Sequence, residues 1–327
     1  MTGKRNVTIK DVAARAGVSV GTVSRVLAKN STVKQPLLTS VNAAIAELGF
    51  RPNLAARALR ANHVNVIGLL VPDITNPFFA QLANELERAA SEKGHSLILS
   101  SSRNDPAHET QQLAALLEHK PKAVLIVPAG DNHDFSTETD TPVLALDRLI
   151  PGLGSVCTNQ INSAALALDH LKELGHRKIL YIAGPENTTI TKDRRDGFCS
   201  KIDDTLDVEI INGSFDFESG DCIARDVLSR PERPTAVAAA SDQQAIGFMR
   251  AARDMGIQVP SELSVVGFDD ITLASLVVPR LTTIRQPVSD IAQAAIDRLF
   301  SDTPITEHTR FMGELVARQS SAVAITG

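Results

Sequence analysis

Apolar residues along most of the chain follow two patterns that alternate with one another. Short continuous apolar runs bounded by Gly, Pro or polar residues predict buried strands, and apolar residues three and four positions apart predict helices. The predicted strands lie at 66–72, 96–102, 123–129, 142–147, 178–184, 208–215, 236–241 and 263–269. The helices predicted between them lie at 79–93, 107–119, 162–174, 192–202, 217–228 and 243–255. This alternation indicates an α/β fold with two doubly wound parallel sheets, each covered by helices on both faces, and a ligand is expected at the carboxyl ends of the strands.

A different pattern occupies residues 8–27, which read TIKDVAARAGVSVGTVSRVL. Thr8 and Asp11 form a capping box that predicts a helix from Ile9, and Gly17 is expected to end this helix because glycine tolerates a positive φ. Ser19 is expected to cap a second helix. Its predicted buried residues are Val23, Val26 and Leu27, and its predicted exposed residues are Val20, Gly21, Ser24 and Arg25. Two short helices joined by a glycine turn indicate an all-α helix-turn-helix, whose second helix enters the major groove of DNA. A generic helical hairpin in a core is the alternative.

Charge is distributed unevenly along the chain. Residues 1–62 contain ten Lys and Arg and two acidic residues, a net charge of +8, whereas residues 63–327 carry a net charge of −13. A cationic segment attached to an acidic remainder is typical of nucleic-acid binding by one module, because the acidic part is repelled by DNA. A solvated basic face without a partner is the alternative. The coincidence of positive charge with the predicted helix-turn-helix favours DNA binding.

Composition argues against several other classes of protein. The chain has 327 residues, enough for a small head and one or two larger domains, and its three cysteines are too few for a disulfide framework. The sequence has no apolar signal region and no run long enough to span a membrane, so we expect a soluble intracellular protein. No GxGxxG, GxxxxGKS or GxxxxGKT pattern follows a strand, and we find no nucleophile–base set or metal cluster. We therefore expect no enzyme activity, no cofactor and no metal.

The segment RPNLAARALR at 51–60 joins the two parts of the chain. Asn53 can cap a helix and the residues that follow favour one, yet so short a helix is marginal in water on its own. We expect it to fold against a partner copy or DNA, and a plain linker is the alternative. The predicted domains are a helix-turn-helix head at 1–50, a hinge helix and linker at 51–62, and a body at 63–327.

Polar and aromatic residues follow several predicted strands, where a ligand is expected. Carboxylates and guanidinium groups bind hydroxyls and aromatic faces stack on sugar rings, so this combination indicates a carbohydrate site. For Phe79 a core position is equally compatible with the pattern, and the aspartates at strand ends could serve as caps. Arg194 is expected to precede the helix that carries Phe198. The candidate residues are Asn76, Phe78, Phe79, Asp147, Arg148, Arg194, Phe217, Asp269 and Gln286.

The chain resembles the LacI (LacI/GalR) family of bacterial transcriptional regulators over nearly its whole length. The motifs that carry the resemblance are TIKDVAARAGVSVGTVSRVL, GFRPNLAARAL, IGLLVPDITNPFF, LDR, ELGHRKILYIAG, VVGFDD and LTTIRQP, in this order. The resemblance implies a homodimer with helix-turn-helix heads, hinge helices and a two-lobed body like that of periplasmic binding proteins. The expected N-lobe comprises about 63–157 plus 286–313, and the expected C-lobe about 158–285 plus 314–327.

The resemblance also assigns DNA contacts. Val20, Gly21 and Arg25 take base-reading positions. The side chains of Val and Gly offer no hydrogen bonds, so we expect a methyl contact from Val20 and close approach of the backbone at Gly21. From Arg25 we expect a contact with a guanine. Ser19 and Thr22 suit phosphate contacts. Leu59 matches a hinge leucine that wedges into the minor groove and kinks the DNA. The predicted DNA-binding set is Thr8, Ser19, Val20, Gly21, Thr22, Ser24, Arg25, Asn53, Ala56 and Leu59.

The predicted ligand residues are similar in type and position to those of ribose-binding proteins and of ribose- or ribonucleoside-responsive repressors. Ser241 departs from the pattern, because an asparagine is usual there, and Asp242 is retained; both join the predicted site. The resemblance implies a cytoplasmic, nucleoid-associated repressor that leaves a palindromic operator when it binds a pentose or ribonucleoside, such as ribose or uridine. A hexose, a purine corepressor and a phosphoprotein partner are alternatives. A sugar-binding transport component is a remote one, because it would need a signal peptide.

Overall fold

Two units make up the chain, residues 1–64 and residues 65–327. The computed structural model describes residues 7–27, 33–50, 65–130, 140–150, 152–186, 188–302 and 305–324. The predicted hinge helix, with Asn53, Ala56 and Leu59, lies outside these ranges. Within them, no helix combines the length and apolar character that crossing a membrane requires.

Three helices of the first unit surround a small apolar core. Helix α1 (Ile9–Ala16) begins with the predicted capping box at Thr8 and ends at Gly17, which has a φ of 65°. Ser19 accepts a hydrogen bond from the Thr22 N–H at 3.2 Å at the start of α2 (Val20–Leu27). These features confirm the helix-turn-helix, and α3 (Gln35–Leu48) is an additional helix that the pattern did not predict. The core residues are Val12, Ala13, Val23, Val26, Val41 and Ala44.

Strands and helices alternate through the second unit, as predicted. The strands are β1 (Val66–Val71), β2 (Ser96–Ser101), β3 (Val124–Ile126), β4 (Val143–Leu146), β5 (Ser155–Thr158), β6 (Lys178–Ala183), β7 (Asp207–Asn212), β8 (Ala236–Ala239), β9 (Ser264–Asp269), β10 (Thr282–Arg285), β11 (His308–Phe311) and β12 (Glu314–Val316). The α-helices are α4 (Pro77–Glu92), α5 (Pro106–Glu118), α6 (Gln160–Glu173), α7 (Thr189–Cys199), α8 (Phe217–Leu228), α9 (Asp242–Asp254) and α10 (Val288–Leu299). A short 3-10 helix spans Thr272–Ser275.

The strands form two sheets, which define an N-lobe and a C-lobe. The N-lobe sheet has the parallel order β11-β5-β4-β3-β1-β2, and the C-lobe sheet has the order β12-β10-β9-β8-β6-β7, in which β12 runs antiparallel to β10. In the N-lobe, α4 and α10 pack on one face of the sheet and α5 on the other. In the C-lobe, α8 and α9 cover one face, and α6 and α7 cover the other. This arrangement confirms the predicted pair of doubly wound α/β lobes.

The chain passes between the lobes after β5, after β10 and after β11. Hydrogen bonds connect these crossovers: the Asn159 N–H donates to the Phe311 carbonyl at 2.7 Å, and the Gly313 N–H donates to the Ser163 hydroxyl at 2.9 Å. The sequence pattern predicted no strand at β5, β10, β11 or β12, because short strands with polar residues lack a continuous apolar run.

Gly220 marks a close approach of α8 and α9. A Cβ at this position would lie 2.0 Å from the Gln244 carbonyl oxygen, a backbone atom that cannot move without shifting α9. We expect Gly220→Ala to destabilise the body by about 3 kcal/mol and to lower the melting temperature by several degrees. Gly130→Ala is the matched control, since its nearest neighbour is Pro106 Cγ at 3.9 Å. Equal melting temperatures of the two variants in calorimetry would contradict the expectation.

Candidate functional site

Two buried aspartates lie where central strands of the two sheets end. Asp147 follows β4 of the N-lobe and Asp269 ends β9 of the C-lobe. Both have a positive φ, 64° and 120°. Residues other than glycine adopt such conformations at an energetic cost, and they concentrate at functional sites. Because ligands of open α/β sheets bind at the carboxyl ends of strands, the junction of the lobes is the candidate site.

Arg194 supplies a positive charge to this junction. It lies inside α7 rather than before it, because the helix already begins at Thr189. Its Nη1 donates to the Ala240 carbonyl at 2.6 Å, and its Nη2 lies 3.5 Å from Asp269 Oδ1. The guanidinium also stacks on Phe268, with Cζ 3.9 Å from the ring centroid. A buried guanidinium needs such partners, and together they fix its position in the C-lobe.

Gln286 joins the second crossover to both lobes. It follows β10, and its Nε2 donates to Asp269 Oδ1 at 2.7 Å. Its Oε1 accepts a hydrogen bond from the Thr158 hydroxyl at the end of β5, at 2.6 Å. One amide therefore connects a C-lobe carboxylate with the last residue of an N-lobe strand.

Gln160 makes a second connection, at the start of α6. Its Nε2 donates to Asp147 Oδ1 at 3.3 Å, and its Oε1 accepts from Arg194 Nε at 2.9 Å. The sequence pattern predicted neither Thr158, the last residue of β5, nor Gln160, which comes two residues later, because it did not predict β5. We call the connected residues the polar network; they are Asp147, Thr158, Gln160, Arg194, Asp269 and Gln286.

Burial has a strong effect on the acidity of Asp269. Desolvation raises the pKa of its carboxyl group to about 7, although the Arg194 charge and the hydrogen bond from Gln286 oppose this rise. The nearby Asp147 raises the pKa further. Asp269 therefore exchanges a proton near neutral pH, where a carboxylate and a carboxylic acid offer a ligand different hydrogen bonds.

Arg148 lies next to Asp147 at the N-lobe side of the junction. It is buried, and its Nη2 is 3.9 Å from Asp147 Oδ2. Behind it, the enclosed Glu109 accepts a hydrogen bond from the Ala129 N–H at 2.6 Å. Desolvation raises the pKa of Glu109, and the Ala129 hydrogen bond and the Arg148 charge oppose this rise. Glu109 was not predicted, since one carboxylate on the buried face of α5 gives no sequence signal.

The other predicted N-lobe residues have structural contacts. Asn76 caps α4, because its Oδ1 accepts from the Phe78 N–H at 3.0 Å. Phe78 and Phe79 are both buried in the N-lobe core and touch edge to face, with ring centroids 5.3 Å apart. The structure thus places all three at the start of α4, and both aromatic rings contribute to packing.

Three predicted C-lobe residues lie beside the polar network rather than in it. Ser241 caps α9 by accepting from the Gln244 N–H at 3.2 Å. Asp242 is fully enclosed, and its two oxygens accept hydrogen bonds from the Ile271 N–H and the Thr283 hydroxyl. Burial raises the pKa of Asp242 well above its usual value. Phe217 is the first residue of α8, whereas the ring of Phe215, which we did not predict, lies 5.8 Å from the Arg194 guanidinium.

Two cavities border the polar network. A cavity of about 20 Å³ is lined by Asp147, Arg148 and Gln160, among others. A cavity of about 920 Å³ is lined by Asp269, Gln286 and residues of α4. In the described part of the chain, no group of three or more His, Cys, Asp or Glu side chains is arranged to hold a metal ion.

Seven of the ten predicted DNA contacts lie in the described part of the helix-turn-helix. Of these, Thr8, Ser19, Val20, Gly21, Ser24 and Arg25 are exposed, and Thr22 is half-buried. The Arg25 Nε donates to the Gly21 carbonyl at 3.3 Å, which holds the guanidinium along α2. Val20 thus presents an apolar side chain and Arg25 a charged one on the same exposed helix.

Comparisons with known proteins agree with both units. A family model described as bacterial regulatory proteins of the lacI family matches residues 8–53, and one described as a periplasmic binding protein-like domain matches residues 168–321. The ribose operon repressor of Escherichia coli (strain K12) is 34% identical, with 89% of this chain and 92% of the relative covered.

Solved structures extend the similarity to the fold. The lac repressor dimer bound to operator and the anti-inducer ONPF has a TM-score of 0.87 at 29% identity, covering 97% of this chain and 100% of that one. A periplasmic binding protein/LacI transcriptional regulator from Alkaliphilus metalliredigens, complexed with D-xylulofuranose, has a TM-score of 0.71 at 28% identity, covering 79% and 99%.

A two-lobed body with a buried polar network between its lobes, in one chain with a basic helix-turn-helix, defines a ligand-responsive DNA-binding regulator. The chain belongs to the LacI family of bacterial regulatory proteins. It is a transcriptional repressor and, like the relatives it matches, not an enzyme.

Proposed function

We propose that the effector of this repressor is a pentose or a ribonucleoside that binds between the lobes. The polar network carries this proposal, because it concentrates two carboxylates, a guanidinium and two amides at the junction of the lobes. Hydroxyl groups pair with carboxylates, guanidinium groups and amides. The similarity to a ribose operon repressor and to a regulator complexed with D-xylulofuranose supports a five-carbon sugar.

The proposed mechanism connects this site with DNA. Two copies of the chain, each with a head at 1–50, a hinge at 51–62 and a body at 63–327, bind a palindromic operator in the cytoplasm, and Leu59 enters the minor groove. The effector shifts the lobes relative to one another, separates the hinge helices and weakens operator binding. By linkage, operator DNA must weaken effector binding by the same factor.

The proposed DNA contacts follow the exposed surface of the helix-turn-helix. We propose that α2 lies in the major groove with the methyl groups of Val20 against a thymine methyl and Arg25 on a guanine, while Gly21 permits close approach. The remaining proposed contacts, mainly to the DNA backbone, are Thr8, Ser19, Thr22, Ser24, Asn53 and Ala56.

A thermal-shift screen of the full chain tests the effector. Ribose, ribonucleosides, hexoses and purines should be compared at saturating concentration, because a ligand that binds only the folded state raises its melting temperature. We expect ribose or a ribonucleoside to give a clear increase and to release a fluorescent operator fragment. Stabilisation by a hexose or purine alone would contradict the proposed effector class and leave the repressor assignment intact.

Effector affinity should depend on pH through Asp269. Effector hydroxyls donate to its carboxylate, so binding favours the ionised form and releases a proton below the pKa of about 7. The dissociation constant is therefore expected to rise up to about tenfold as the pH falls by one unit below this pKa, and to be constant well above it. Titration calorimetry of the wild type and of Asp269→Asn checks this, because the variant should lose the dependence on pH. Identical pH profiles of the two proteins would argue against a role for this carboxylate.

A further inference from the structure

Gln160 occupies the centre of the polar network. Its Nε2 donates to Asp147 Oδ1 in the N-lobe at 3.3 Å, and its Oε1 accepts from Arg194 Nε in the C-lobe at 2.9 Å. Its Nε2 also lies 3.4 Å from Gln286 Oε1 at the second crossover. A single neutral amide thus links a carboxylate of one lobe to a guanidinium of the other.

The space beside this link is small. The cavity lined by Asp147 and Gln160 has a volume of about 20 Å³, room for one water molecule, whereas small-molecule sites typically measure about 300–1,000 Å³. An effector that contacts both Asp147 and Arg194 therefore cannot enter while the Gln160 amide lies between them.

We infer that Gln160 is a positioning residue that holds the lobes together through Asp147 and Arg194, and that the effector binds by replacing this link. The inference rests on the proposed function, in which the effector binds between the lobes. It also specifies the chemistry of the effector. The amide presents a donor, Nε2, and an acceptor, Oε1, side by side and carries no charge, as two neighbouring hydroxyl groups of a sugar do. The part of the effector that enters here is therefore neutral and carries a vicinal pair of hydroxyl groups.

Hydrogen exchange of the full chain tests the link without an effector. Gln160→Ala removes both hydrogen bonds, and Gln160→Leu keeps nearly the same volume but can form neither of them. Losing hydrogen bonds to two charged groups should make opening of the lobes more frequent. We therefore expect the exchange rate of peptides covering 145–150 and 267–272 to increase at least about tenfold, which corresponds to about 1.4 kcal/mol. Thr191→Val is the matched control, because it removes one buried hydrogen bond, from the Thr188 hydroxyl, inside the C-lobe and outside the polar network.

The outcomes distinguish a link from a space-filling side chain. Faster exchange in both Gln160 variants, with wild-type exchange in Thr191→Val, supports the inference. Unchanged exchange in both Gln160 variants, faster exchange in Gln160→Ala alone, or an equal increase in Thr191→Val overturns it. Retained protection of the core strand β8 in every variant shows that each has folded. The exchange measurement uses no effector, so its result for Gln160 does not depend on the ligand screen. Failure of that screen would reject the proposed effector alone.

Discussion

Replacement of Arg194 by alanine is expected to produce a repressor that still binds operator DNA but is no longer released by the effector. Arg194 is the only charged side chain of the polar network that contacts Gln160, Asp269 and the Phe268 ring together. Hydrogen bonds from a charged group contribute about 1.5–3 kcal/mol each. Loss of two hydrogen bonds from the guanidinium to the effector should therefore weaken effector binding more than about a hundredfold. The substitution lies in the body and not in the head, so the variant should still bind operator DNA in the absence of effector.

Arg195→Ala provides the matched control on the same helix. Arg195 is about 39% exposed and its Nε lies 3.8 Å from Asp196 Oδ1, so its removal costs little. Fluorescence anisotropy with an operator fragment, recorded with and without the compound selected by the screen, measures both properties. Release of Arg194→Ala at the wild-type effector concentration would remove this residue from the effector site. In Arg194→Ala, the buried Asp269 loses the positive charge that lowers its pKa, and this loss could destabilise the body. Thermal unfolding of both variants therefore verifies that they are folded.

Local chemistry made part of this fold predictable. The capping box at Thr8 and the glycine that ends α1 depend on neighbours within a few residues, and both occur as predicted. The buried central strands were also recognisable, because a parallel strand covered on both faces must be apolar throughout. Strands β5, β10, β11 and β12 were not, since each contains polar residues and pairs with a partner far along the chain. Arg285, for example, pairs with Glu314 across β10 and β12.

The same distinction applies to the candidate site. Asp147 and Asp269 could be found because each lies at the end of an apolar strand, and Arg194 was predicted with them, although before its helix rather than inside it. The sequence could not show that Asp242, unlike these residues, lies outside the polar network. Its exclusion follows from the structure, in which the Ile271 N–H and the Thr283 hydroxyl donate hydrogen bonds to its two carboxylate oxygens. Gln160 is the converse case. It follows a strand with no clear apolar signal, so its position between the lobes depends on tertiary contacts that no local pattern records.

Replacement of Val23 by aspartate is expected to abolish operator binding while effector binding to the body persists. Val23 is fully enclosed in the small apolar core of the helix-turn-helix. An unpaired carboxylate there costs several kcal/mol, and a head of this size has only a few kcal/mol of stability in total. The head should therefore unfold and lose operator affinity by more than about a hundredfold. The cores of the two lobes contain none of its residues, so the thermal shift with effector should be unchanged.

Val20→Thr is the corresponding control on the exposed face of α2. Val20 is 36% exposed, and threonine has nearly the same shape, so the head should fold normally. The added hydroxyl can hydrogen-bond to a base edge, which should change the preferred base at one operator position rather than remove binding. Binding of both variants to operator fragments with single base changes measures this difference. Wild-type operator affinity in Val23→Asp would show that DNA contacts do not depend on the folded helix-turn-helix, and loss of effector binding in that variant would show that the body requires the head.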